Sequence, residues 1–329
     1  MKRSPVRPPF ILALVPLLIT LAIVACGGGS KKAASPMGVT PTPEAGAAIQ
    51  PVFASSDLAV GPNRFVVGLV DQRKNSLITD AQVHLQFFKL GDGGRPQALK
   101  VEMDARPLTV NKNYTHVHKD GTLETHEAGT VGVYLASVQF DSPGHWGVAI
   151  TGTQKDGQPL PALTPSFEVR ERSASFPVGQ PAPRTRQPTL SDVQDISEID
   201  TSNPPDPQMH AMTIADAVTS GKPTVIVFAT PGICQTQICG PTKDLADRLY
   251  EIYQGQANFI HVEPYDLKKL RSGQKFETVP AMAEWGLESE PWVFLVDRDG
   301  KVAAKFQGIV SFEELEGTFT PMLASARGY

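Results

Sequence analysis

The stretch Trp285-Gly286-Leu287-Glu288-Ser289-Glu290-Pro291-Trp292-Val293-Phe294-Leu295-Val296 decides how the second half of the chain is read. An aromatic residue, a glycine and an apolar residue come first. Three polar residues and a proline follow, and then an unbroken apolar run. Such a run, opened by proline, predicts a strand buried on both faces. Upstream, Thr224-Val225-Ile226-Val227-Phe228-Ala229 predicts another. Between them Leu245, Leu249 and Ile252 recur at helical spacing, with Lys243, Asp244, Asp247 and Arg248 on the other side. Residues 258–263 form a further predicted strand. Asp297-Arg298-Asp299-Gly300 turns the chain into 301–306, and a last helix is expected over about 311–324. Thr213 can cap a short helix that Gly221 and Pro223 end. The pattern over 209–329 is α/β.

Residues 51–172 read differently. Val83, Leu85 and Phe87 alternate with Gln82, His84 and Gln86, which predicts a strand with one buried face. Arg64 to Val70 and Val131 to Phe140 are further strands, and Asp141-Ser142-Pro143-Gly144 turns back into His145-Trp146-Gly147-Val148-Ala149-Ile150. Short strands at this spacing predict an all-β sandwich. The run from Gly132 to Trp146 resembles the immunoglobulin-like domains of exported bacterial proteins, some linked to copper handling. Between the two regions, 173–208 carries Pro177, Pro181, Pro183, Pro188, Pro204, Pro205 and Pro207 and reads as a semi-rigid linker.

The N-terminus reads as a targeting segment. Lys2, Arg3 and Arg7 precede the apolar run from Phe10 to Ala25, which is short for a bilayer span. Ile23-Val24-Ala25-Cys26 followed by Gly27-Gly28-Gly29-Ser30 resembles a bacterial lipobox, which implies 1–26 as a lipoprotein signal with Cys26 acylated. Residues 27–50 would then be a tether. The expected location is the cell envelope, on the extracytoplasmic side of a bacterial membrane, held by a lipid anchor. The net charge of −4 and the absence of a basic stripe exclude nucleic acid as an expected partner. With Cys26 assigned to lipid, Cys234 and Cys239 remain, and a close pair outside the cytoplasm predicts a disulfide or a redox dithiol.

Residues 209–329 resemble a thioredoxin-like domain. A helix and Gly221-Lys222-Pro223 precede a buried strand, cysteines follow it at the start of an amphipathic helix, and the 285–296 stretch matches the family's aromatic-Gly-apolar, three-residue, proline, apolar-strand pattern. The resemblance implies a cis Pro291 packed beside the dithiol. It also implies thiol–disulfide exchange through Cys234 and Cys239 with a dithiol or disulfide protein partner, and no required cofactor. The pair departs from the family's Cys-x-x-Cys: Cys234-Gln235-Thr236-Gln237-Ile238-Cys239 is five apart, too far to bridge along a regular helix. Cys239-Gly240-Pro241-Thr242-Lys243 resembles thioredoxin's Cys-Gly-Pro-Cys-Lys with Thr242 in place of the second cysteine. Thr230-Pro231-Gly232-Ile233-Cys234 resembles the Thr-Pro-Gly-Cys of the peroxiredoxin Q class. There Ile233 displaces Thr230 from the peroxide, and Arg298 falls in a turn.

A second constellation is the hairpin Tyr114-Thr115-His116-Val117-His118-Lys119-Asp120-Gly121-Thr122-Leu123-Glu124-Thr125-His126. His116 and His118 share a strand face, and a three-residue loop brings His126 to it. Three imidazoles would suit copper or zinc. His261 lies in a predicted strand with no metal motif around it. The expectation is therefore an immunoglobulin-like sandwich followed by a thioredoxin-like oxidoreductase. Its alternatives are a surface scaffold with a structural disulfide, copper-binding through the hairpin, and a peroxiredoxin-Q-like peroxidase.

Overall fold

The alternation at Val83, Leu85 and Phe87 appears in the structure as buried positions within β4 (Gln82–Leu90), while Gln82, His84 and Gln86 face outward. The structure is a computed structural model. It describes residues 48–117, 123–233, 238–274 and 276–324, and for 111–128 only the strand backbone. All belong to one compact unit spanning Ser35–Tyr329. Along the chain come β1 (Ile49–Phe53), β2 (Gly61–Asp71), β3 (Ser76–Ile78), β4, β5 (Pro96–Val117), β6 (Leu123–Phe140), β7 (Gly144–Thr153) and β8 (Ser166–Val169). They form one antiparallel sheet in the order β1-β2-β6-β5-β4-β7-β8, with β3 paired to β2.

Aromatic packing shows that this sheet is curled. β2 and β4 lie three strand steps apart, about 14 Å in a flat sheet. Yet the rings of Phe65 on β2 and Phe87 on β4 meet at 5.0 Å. Phe140 and Phe167 also meet Phe87, at 5.9 and 6.3 Å. β5 makes the corner: its first half pairs with β4 up to Ala105, and from Arg106 onward it pairs with β6. The expected immunoglobulin-like sandwich is thereby corrected to a curled, half-barrel sheet. The reason lies in two long strands of which only the hairpin at 114–126 and the run 131–140 were legible in the sequence. β5 and β6, 22 and 18 residues long, carry the ladder round a bend and so avoid dividing it into two facing sheets.

The second half contains α1 (Ile214–Ala217), β9 (Thr224–Phe228), α2 (Cys239–Tyr253), β10 (Asn258–Val262), α3 (Leu267–Arg271), α4 (Pro280–Glu284), β11 (Trp292–Val296), β12 (Val302–Gln307) and α5 (Phe312–Ala324). Its four strands run in the order β10-β9-β11-β12. The β10–β9 pairing is parallel, and the β9–β11 and β11–β12 pairings are antiparallel. The expected thioredoxin-like α/β domain is also corrected: the protein is predominantly β, 39% strand against 22% helix, without a thioredoxin-like arrangement. Three of the five helices are only four or five residues long, too short to cover a sheet. Nor is a cysteine pair shown, because Cys239 alone of the three cysteines falls among the described residues.

Residues 173–210 contain three short 3₁₀ turns and otherwise irregular chain, yet they pack as a strap along this second sheet. Phe176 N–H donates to Trp285 O, Gly179 N–H to Val302 O and Ala182 N–H to Gly300 O. Trp285 Nε1 donates to Thr185 Oγ1 at 3.0 Å, and the buried Gln187 accepts from Ile214 N–H at 3.0 Å. Gly286 has φ +63°, and a Cβ there would lie 2.0 Å from Ala174 O, so glycine is required where the strap crosses.

Two polar locks tie the first sheet to the second. Arg64 donates to both oxygens of Glu314 at 2.7 and 2.9 Å and to Ile309 O at 2.6 Å. Asp57 accepts from the hydroxyls of Ser173 and Ser175 and from the amides of Ala174 and Ser175, and Lys305 donates to both hydroxyls at 2.6 Å. Burial opposes the Asp57 charge, but these hydrogen bonds outweigh it and hold the carboxyl below its ordinary range.

Phe87 is fully buried at the centre of the curl. Phe87→Ala should lower the stability measured by urea denaturation by about 3–5 kcal/mol. Phe276→Ala, at a half-exposed ring, should change it by less than about 0.5 kcal/mol.

Candidate metal centre

β10 reads Asn-Phe-Ile-His-Val, and all five residues are buried. Alternation places His261 on the face it shares with Phe259, which packs in the cluster containing Ala246 and Leu249 of α2. His261 is fully buried, and its Nε2 lies 2.9 Å from Ala229 O. A carbonyl only accepts, so Nε2 carries the proton and Nδ1 of the neutral ring presents a lone pair. That Nδ1 has no hydrogen-bond partner. It points at Asp200 Oδ1 across 3.5 Å, longer than a hydrogen bond.

Asp200 comes from the strap. Its Oδ1 accepts from Ser202 N–H at 2.7 Å and its Oδ2 from Asp206 N–H at 3.1 Å. These bonds fix the carboxylate inside a turn that Pro204, Pro205 and Pro207 shape. The next turn, Pro207–His210, is capped by Asp206, which accepts from Gln208 N–H, and is anchored by the buried Met209. It ends on His210, also buried, whose Nε2 is 3.1 Å from Asp200 Oδ2. The two imidazole rings lie 5.1 Å apart. Asp200, His210 and His261 each offer a donor atom within 4.8 Å of the others, and the group could hold a metal ion.

The electrostatics are lopsided. Burial opposes ionisation of Asp200, but the hydrogen bond from His210, the proximity of His261 and the hydrogen bond from Ser202 outweigh it and hold the carboxyl far below its usual range. Burial pushes His261 toward its neutral form against the pull of Asp200, and the nearby Lys243 ammonium adds to that push. Lys243 is itself buried on α2 and ion-paired to Asp247. Two residues past His261, buried Glu263 has its pKa pushed up to about 8. Burial is the main cause and the Asp200 charge adds to it, against hydrogen bonds from Thr201. His210, His261 and Glu263 line a cavity of about 460 Å³.

The sites expected from sequence fare unevenly. Cys26, Cys234 and His118 lie outside the described residues. For His116 and His126 the backbone register is described: Tyr114 pairs with His126, as a three-residue loop requires, and His116 pairs with Glu124. Cys239 begins α2, is fully buried and is disulfide-bonded. The Glu290–Pro291 peptide is cis, as expected. Ile238 and Glu290, the residues preceding Cys239 and Pro291, line one apolar cavity of about 170 Å³.

The Asp200, His210 and His261 group was missed because two of its members lie in or beside the segment read as a linker. A histidine in the middle of an otherwise apolar strand was the available signal.

No family model matches the chain, and no curated protein matches it. Among solved structures, the soluble domain of PmoD from Methylocystis sp. ATCC 49242 (Rockwell) is similar at 14% identity, over 37% of this chain and 90% of that one. The TM-score is 0.19, too low to support any argument.

The Glu263 carboxyl makes a signed prediction. In metal-free buffer its pKa is about 8 in the folded protein and 4.5 in the unfolded chain. The folded state therefore binds more protons between those values, and stability falls as pH rises through that window. Glu263→Gln removes this dependence, so thermal melts of the variant should gain on wild type from pH 5 to 8.

Proposed function

We propose that the protein binds a divalent first-row transition metal, zinc or copper(II), through Asp200 Oδ, His210 Nε2 and His261 Nδ1. One observation carries this reading. The lone pair of a buried neutral imidazole faces an ionised carboxylate at 3.5 Å, an arrangement that a cation between them relieves. A proton is a poor candidate, because burial and Lys243 both disfavour the imidazolium. The three donor atoms, one from each residue, lie within 4.8 Å of one another, close enough for one ion to reach all three. The Nε2–H to Ala229 O bond is the outer support that metal-bound histidines usually have. Two imidazoles and a carboxylate, with no sulfur donor, favour zinc or copper(II) over copper(I). The adjoining cavity gives an ion access. Lipid anchoring through Cys26 at the outer side of a bacterial membrane belongs to the same proposal and rests on the sequence alone.

Calorimetric titration of the full chain should show one tight zinc or copper(II) equivalent. Asp200→Asn, His210→Ala and His261→Ala should each weaken it by at least about a hundredfold, and at 100 times Kd the ion should stabilise wild type by about 2.7 kcal/mol. A flat wild-type titration with both metals would remove this reading.

A second reading, thiol–disulfide exchange through Cys234 and Cys239, is favoured by the bonded state of Cys239 and by the cavity that Ile238 shares with Glu290. It requires insulin reduction by dithiothreitol to be accelerated by wild type and not by Cys234→Ser or Cys239→Ser. Equal rates in all three would leave Cys239 a structural disulfide.

A further inference from the structure

The strand directions gather three oxygen-bearing side chains at one end of the second sheet. β9 and β10 run parallel, and β11 runs against them. The C-terminal ends of β9 and β10 therefore lie beside the N-terminal end of β11. Phe228 pairs with Val262 on one side and with Trp292 on the other. Two residues further on, Thr230 is flanked by Glu263 and Glu290.

The environments of these groups are unusual. Thr230 is 0% exposed and Glu263 6%. Thr230 Oγ1, Glu263 Oε2 and Glu290 Oε2 are all buried without a hydrogen-bond partner. Thr230 is nevertheless within hydrogen-bonding reach of both carboxyl groups, and the Tyr265 hydroxyl is within reach of Glu290. Three buried oxygens gathered at one strand end, each left without an aligned partner, are an arrangement that a shared cation would satisfy. Leaving these three oxygen atoms without a partner would be costly. Glu263 and Tyr265 also line the 460 Å³ cavity, which places one of the three oxygens' residues beside open space.

We propose that Thr230, Glu263 and Glu290 form a second cation site, selective for a hard, oxygen-seeking dication of the calcium or magnesium class. The donors are the Glu290 carboxylate, the Glu263 carboxyl, which releases its proton as the cation binds, and the Thr230 hydroxyl, with water completing the shell. Hard cations take oxygen ligands of these types, whereas the imidazole pair next door suits a transition metal. The site draws on no residue of the Asp200 group, so either can fail alone.

Terbium(III), which occupies calcium sites and is sensitised by nearby Tyr265 and Trp292, is the probe. The full chain, presaturated with zinc, should give saturable terbium luminescence that calcium displaces. Glu290→Gln and Thr230→Val should each weaken terbium and calcium binding by about tenfold or more. His210→Ala should leave both unchanged while losing the transition metal. Equilibrium dialysis against calcium gives an independent count, expected to be one per wild-type chain. Melting curves identify any variant that fails to fold, and the second variant then decides. The proposal is overturned if wild type binds neither ion, if both folded variants bind like wild type, or if His210→Ala removes the terbium signal.

Discussion

A carboxylate taken out of water needs partners, and Asp200 finds them in the His210 imidazole and two backbone amides, with the His261 ring facing it at 3.5 Å. Much of the second half is arranged around this requirement. The strap must cross the sheet to deliver Asp200, the turn after it must close tightly to bring His210 back, and β10 must hold a polar ring at a position its neighbours fill with apolar side chains. A buried charge that lost one partner would destabilise the fold strongly. The arrangement is therefore worth keeping only as a complete set. Its geometry also leaves one lone pair directed at negative charge, which is the feature that gives the centre an appetite for cations.

The first sheet does not contribute donors, but it is not independent of them. Arg64 and Asp57 sit on or beside its strands and reach α5, β12 and the start of the strap. The bidentate Arg64–Glu314 pair is planar and directional, so it fixes orientation as well as distance. Asp57 gathers the strap's first residues just where Lys305 supplies the compensating charge. The strap is consequently secured at its root by the same lock that joins the sheets, before it extends toward Asp200.

Much of the local structure was legible in the sequence. Alternation located β4, continuous apolar runs located β9 and β11, and helical spacing located α2. What the chain does with these pieces was not legible. Period-two patterns say which face is buried, not whether a sheet closes on itself or on another. The contact between Phe65 and Phe87 that reveals the curl joins residues far apart in sequence. The thioredoxin-like resemblance failed in a related way, since motifs around Pro291 specify a turn and a strand while fold class depends on how many strands pair and in which sense. The Asp200, His210 and His261 group was hidden because proline density in 173–208 reads as a spacer. His261 was visible, but nothing near it in sequence pointed to Asp200 and His210.

That proline density has a different physical meaning once the strap is seen. Two of the three donors, Asp200 and His210, sit on chain that no sheet ladder holds in place. A ligand that had to order such a segment would surrender part of its affinity as lost conformational entropy. Proline restricts the chain before any ligand arrives, and Pro204, Pro205 and Pro207 all fall between the two donors. The residues that look like a spacer are thus a form of preorganisation. If the group takes the proposed ion, its affinity becomes a property of ring count in the intervening loop, adjustable there without altering Asp200, His210 or His261.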